Sequence, residues 1–142
     1  MKKRIFYFLL FLIALSCNDN GKQPVMESEN DIDAARNFIK ASLERDWPKA
    51  KTFLLADLEN MERIETIGTF FTNEKSEDRK GYKEASINIH DIRKVNDSVS
   101  VIHYSNSYMN KKDSLKIILI NGQWLVDLKY SFLPIDTVRS GL

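Results

Sequence analysis

Leu115-Lys116-Ile117-Ile118-Leu119-Ile120-Asn121-Gly122-Gln123-Trp124-Leu125-Val126-Asp127-Leu128 decides the fold class. Two apolar runs flank Asn121-Gly122, the pair best suited to a two-residue type I′ turn, which needs positive φ at both central positions. The stretch therefore predicts an antiparallel hairpin, with Trp124, Val126 and Leu128 sharing one face of the returning strand, 123–128.

Working backward, the same two-residue period continues. Val99, Val101 and His103 alternate with Ser100, Ile102 and Tyr104, and Ala85, Ile87 and Ile89 alternate with Ser86, Asn88 and His90. Asn96-Asp97 and Asn110 to Asp113 supply the turns between these strands. Residues 72–83 read as a polar loop, with Gly81 inside it and Tyr82 as its lone large apolar side chain.

Before that loop the period becomes helical. Ile32, Ala35, Phe38, Ile39 and Leu43 predict an amphipathic helix over 30–45, with Ser28 and Asp31 spaced as a capping box. Asp46-Trp47-Pro48 ends it and opens a second helix carrying Ala50, Phe53 and Leu54, because Pro is accepted in a first turn and Asp caps orphan amides. A third helix starts near Asp57 and is expected to bury Leu58, Met61, Ile64, Ile67 and Phe71. Helices followed by a meander of strands define an α+β domain, with N-terminal helices packed on an antiparallel sheet.

The first residues read differently. Lys2-Lys3-Arg4 precedes an apolar run, Ile5 to Leu15, which ends at Ser16-Cys17. Eleven residues span ~16 Å as a helix, about half of a ~30 Å hydrocarbon core, so the run has the size of a signal-peptide core rather than a membrane span. Ala14-Leu15-Ser16-Cys17 resembles the lipobox of bacterial lipoproteins. That resemblance implies cleavage before Cys17, lipidation of Cys17, membrane attachment through the lipid, and a cell-envelope location, on the outer membrane if the cell is Gram-negative. On this reading 1–16 is the signal peptide, 17–29 the lipidated cysteine and a flexible tether of about 20 Å reach, and 30–142 one domain.

Composition narrows the rest. The chain has 21 Lys+Arg against 20 Asp+Glu, and losing the signal's three cations leaves 18 against 20. Near neutrality gives no electrostatic footprint for nucleic acid. Cys17 is the sole cysteine, so no intramolecular disulfide can form and packing must supply stability.

The order of elements is familiar. Ala35 to Leu55, a helix, an Asp46-Trp47-Pro48 break and a second helix, resembles the opening of nuclear transport factor 2-like domains, and Asn121 to Asp127 resembles their closing Gly-x-Trp-x-Val strand. The resemblance spans about 30–130 and implies a cystatin-like cone, helices on a curved sheet, whose open end often holds a pocket. It implies no particular activity.

Candidate chemistry is sparse. His103 could enter the cone and, oriented by Asp127, act as a base, as some enzymes of that superfamily do, which would make the chain an isomerase or dehydratase. His90 reads as a solvated residue near a strand end. Tyr104, Tyr108, Tyr130 and Trp124 are candidate pocket residues. Neither histidine has the spacing of a zinc site, and phosphate loops and nucleophile elbows are missing, so neither metal nor cofactor is expected. The leading expectation is a non-catalytic, lipid-anchored domain that binds a small apolar molecule or an envelope protein. A structural envelope role without ligand and a homodimer through the half-exposed sheet stay open.

Overall fold

In a computed structural model the structure describes residues 28–131. Cys17, the signal and most of the tether lie outside the described residues, as does the segment 132–142. Four helices precede four strands: α1 Asp31–Leu43, α2 Trp47–Thr52, α3 Leu58–Phe70, α4 Ser76–Lys83, β1 Ile87–Asn96, β2 Val99–Asn106, β3 Asp113–Ile120 and β4 Gln123–Asp127. Short 3₁₀ turns follow α3 and β4, at Phe71–Asn73 and Leu128–Tyr130. The strands form an open antiparallel meander in the order β1-β2-β3-β4.

The β3–β4 hairpin turns where the sequence requires, with Asn121 at φ 51° and Gly122 at φ 80°. Its free edge is extended by the chain leaving α2, where Leu54 bridges Val126 in parallel and the Val126 amide donates to the Phe53 carbonyl at 2.8 Å. The core lies between α1, α3 and one sheet face. Phe38, Phe53, Ile64, Ile102, Leu115, Ile117 and Val126 are buried there, each contributing about 1.5–3 kcal/mol.

Local chemistry sets the ends of the helices. The α1 N-cap is Asn30, whose Oδ1 accepts from the Asp33 amide at 3.0 Å, rather than Ser28 of the expected box. Asp46 and Asp57 cap α2 and α3. α4 replaces the expected loop over 72–83. It has acidic residues in its first turn (Glu77, Asp78) and basic ones in its last (Lys80, Lys83), the order that complements the helix dipole.

Three expectations from the sequence need correction. Leu58, first residue of α3, is 75 % exposed because the first turn overhangs the core. In β2 the residues facing the helices are Ser100, Ile102 and Tyr104; Val99, Val101 and His103 occupy the opposite face. Leu128 does not continue β4 but opens the 3₁₀ turn, although it is buried as expected.

One polar knot fastens α3 to the sheet. Asn60 is fully buried; its amide nitrogen donates to Asp57 at 3.0 Å and Asp127 at 3.4 Å, and its carbonyl accepts from the Leu128 amide at 2.8 Å. At the other end of the sheet, buried Asp31 accepts from Lys94 and Ser100. Burial pushes its carboxyl up, but those two hydrogen bonds and the Lys94 charge prevail and hold it below its ordinary value.

Candidate functional site

The C-terminus of α1 builds the site. The Asp46 amide bonds the Ala41 carbonyl at 2.9 Å and the Arg45 amide bonds Ser42 at 3.1 Å, the double bond pattern of a Schellman cap. Such caps normally place glycine in the left-handed position, yet here it is Arg45, at φ 61°. An L-residue there costs roughly 1 kcal/mol or more, and its side chain accounts for the choice.

The Arg45 guanidinium lies 3.8 Å from the Phe71 ring centre and 4.3 Å from that of Tyr82, with Trp47 at 6.0 Å. Its Nε donates to Glu74 at 3.0 Å, its Nη2 to the other oxygen of the same carboxylate, and its Nη1 to the Ser42 carbonyl at 2.9 Å. Both side chains of this ion pair are more than nine-tenths buried. Stacked Trp47 and Phe71 (6.2 Å) and edge-on Phe71 and Tyr82 (5.9 Å) complete the box. Gly68 of α3 faces the Trp47 ring, where an added Cβ would make ordinary van der Waals contact at 3.5 Å.

Next to this box opens a cleft of about 180 Å³. Phe38, Ile39, Leu43, Ile64 and Ile67 give it an apolar floor, and Arg45, Asn106, Lys111, Lys112 and Asp113 its polar rim. Ser42 also lines it, and the buried Ser42 hydroxyl has no hydrogen-bond partner among the described residues. A second, more polar cleft of about 410 Å³ lies beyond Arg45, Trp47 and Phe71, which form a wall common to both.

Tyr104 and Tyr108 reach this end of the molecule by different routes. Tyr104 is buried in the cleft wall and donates to Asp113 at 3.2 Å. Burial first, and then the Asp113 charge, push its hydroxyl well above the phenol range, so it remains a donor. Tyr108 is a clamp on α4. Its ring covers Gly81, where a Cβ would come within 2.2 Å of it, and its hydroxyl donates to Asp78 at 2.6 Å. Tyr108 also meets Tyr82 edge-on at 4.9 Å, so the clamp holds α4 and the box together.

The other sequence candidates stand elsewhere. Trp124 packs at the Asp31 corner beneath Lys94, 5.3 Å away. Tyr130 accepts from Arg93 at 3.3 Å. His90 is the extra residue of a β-bulge, between the Ile89 and Asp91 pairings, and its Nε2 meets the Ser105 hydroxyl at 2.8 Å. His103 faces away from the helices, with Nδ1 2.6 Å from the hydroxyl of Ser114, its partner across the strands. Asp127 bonds Asn60 and pairs with Lys116 and Lys129 at 3.4 Å.

The structure does not bring His103 and Asp127 together. They lie two strands and two residues apart, roughly 12 Å at about 4.8 Å per strand and 3.4 Å per residue. Among the described residues no three His, Cys, Asp or Glu side chains gather as a metal site, and no helix is long and apolar enough to cross a membrane.

Sequence reasoning missed Arg45, Glu74 and Ser42. Glu74 and Tyr82 fell in the supposed loop, and Arg45 gave one usable signal, a helix stop lacking glycine. Comparison with family models, curated proteins and solved structures finds no match for this chain.

Proposed function

We propose that this chain is an envelope lipoprotein, anchored through Cys17, whose domain is of the nuclear transport factor 2-like type and binds a small molecule without transforming it. The cleft carries the binding part of this reading: an apolar recess whose wall holds a buried hydroxyl with no partner among the described residues. Buried polar groups are nearly always bonded, and one left over beside a cavity is suited to a ligand atom. At about 180 Å³ the recess is close to the ~150 Å³ engineered cavity that takes up benzene, so a single ring or a short acyl chain matches it. The sequence of helices and meander supports the domain type, as do the β1 irregularities at Ile89/Asp91 and Lys94/Asn96, since bulges bend strands.

Non-catalytic binding agrees with the side chains available at the cleft. Arg45 is committed to Glu74, Tyr104 to Asp113, and both histidines lie on neighbouring strand positions away from the cleft.

Two experiments test this reading. Membrane fractionation of Cys17→Ala should move the protein to the soluble fraction; a variant that still pellets contradicts the anchor. Thermal unfolding in small-molecule extracts should raise the Tm of the wild-type chain but not of Ser42→Phe, which fills the recess. A wild-type Tm unmoved by every extract contradicts the binding role.

A further inference from the structure

We infer that the ligand of this cleft is a small monocarboxylate with a short apolar body, its carboxylate held at the rim by Lys111 and Lys112. The inference rests on the reading of the cleft as a ligand site and adds the charge and orientation of what enters it.

Several polar groups around the cleft are already engaged. Arg45 is neutralised by Glu74. Asp113 accepts from the Tyr104 hydroxyl at 3.2 Å and from the Ser114 amide at 2.7 Å. Asn106 accepts the Tyr108 and Met109 amides on its Oδ1, at 3.1 and 2.9 Å, and its Nδ2 donates to no described residue. The Ser42 hydroxyl is unspent as well. Lys111 and Lys112 are exposed and make no ion pair with a described residue.

What remains around the recess is therefore a set of donors: two ammonium groups, an amide NH₂ and a hydroxyl. With Arg45 neutralised by Glu74, two lysines against Asp113 leave the lining with one net positive charge, so its field favours an anion. An organic cation would meet both lysines, and a neutral ligand would leave these charged donors unused. Apart from the Ser42 hydroxyl the recess is lined by apolar side chains and its charges stand at the rim, so the anionic group belongs at the mouth and the apolar body inside. The size of the recess limits that body to about six to eight carbons or one ring.

Titration of the full chain with hexanoate, hexanol and hexylamine, followed by NMR, tests this. Hexanoate should bind roughly three- to tenfold tighter than hexanol at low salt, the range of two exposed ion pairs. That preference should shrink in ~0.5 M salt, where the screening length falls to a few ångströms. The double variant Lys111→Gln/Lys112→Gln, both sites being exposed, should lose the preference, hexanoate and hexanol then binding alike.

If hexanol binds as well as hexanoate, if hexylamine binds tighter, or if the preference survives in the double variant, the carboxylate inference is overturned and the cleft remains a ligand site. If neither hexanoate nor hexanol shifts a resonance of the cleft, the cleft reading falls along with it.

Discussion

The two faces of the sheet are made from the same strands and carry opposite chemistry. On the helix side, Ile102, Leu115, Ile117 and Val126 form a dry core that opens, at the α1 C-terminus, into a cleft with unspent donors. On the other side, His103 with Ser114 and Lys116 with Asp127 are paired polar groups. Residues that attract attention as catalysts in the sequence are satisfied locally on the far face. Residues that shape the cleft look ordinary in the sequence and meet on the near face.

The largest effect is expected at Arg45, held in the left-handed region at the cleft. Arg45→Ala leaves Glu74 buried without its partner and keeps the left-handed backbone, and should lower stability by about 3 kcal/mol or more. Arg45→Gly loses the same contacts but relieves the backbone, and should be about 1 kcal/mol more stable than the alanine variant. Urea unfolding measures both; equal losses would remove the strain argument.

Adjacent residues of β3 compare the faces directly. Leu115→Ala should cost about 2–5 kcal/mol through a core cavity, and Ser114→Ala about 1 kcal/mol through one lost hydrogen bond. Similar losses in denaturant melts would mean that the far face is part of the core.

Acid acts at the Asp31 corner. Its folded pKa lies below the ordinary value, so the linked stability is present above about pH 4 and is lost as pH falls through the lowered folded value. Asp31→Asn should flatten that part of the stability–pH curve. An unchanged acid slope would assign acid loss to other carboxylates.

The smallest effect changes sign with background. Gly81→Ala should destabilise the wild type, where the new Cβ strikes the Tyr108 ring. In a Tyr108→Ala background it should instead stabilise by up to about 1 kcal/mol, the helix preference of alanine over glycine. The same sign in both backgrounds would show that Tyr108 does not clamp α4.

Much of this frame was legible in the sequence. The helical period of 30–45, the Asp-Trp-Pro break and the Asn-Gly hairpin each rest on local chemistry that no tertiary contact overrides. The α4 helix was not legible, because Tyr82 is its only large apolar anchor; the acidic-to-basic order of 77–83 was the readable trace. The facing of β2 failed for another reason. Both of its faces carry apolar or small residues, so alternation leaves the choice open, and Ser100 enters the helix side because Asp31 waits there to bond it. The cleft was legible only as Tyr104, since Arg45 and Ser42 gain their roles from a helix cap and a cavity that depend on residues far along the chain.

Chemical-shift mapping shows directly which face of the sheet receives a ligand. In an ¹⁵N-labelled full chain titrated with a mixture of small aromatic and acyl compounds, the shifted amides should cluster at Ser42, Arg45, Tyr82, Asn106 and Met109. Shifts centred on His103, Ser114 and Lys116, with the α1 C-terminus unmoved, would contradict the cleft reading.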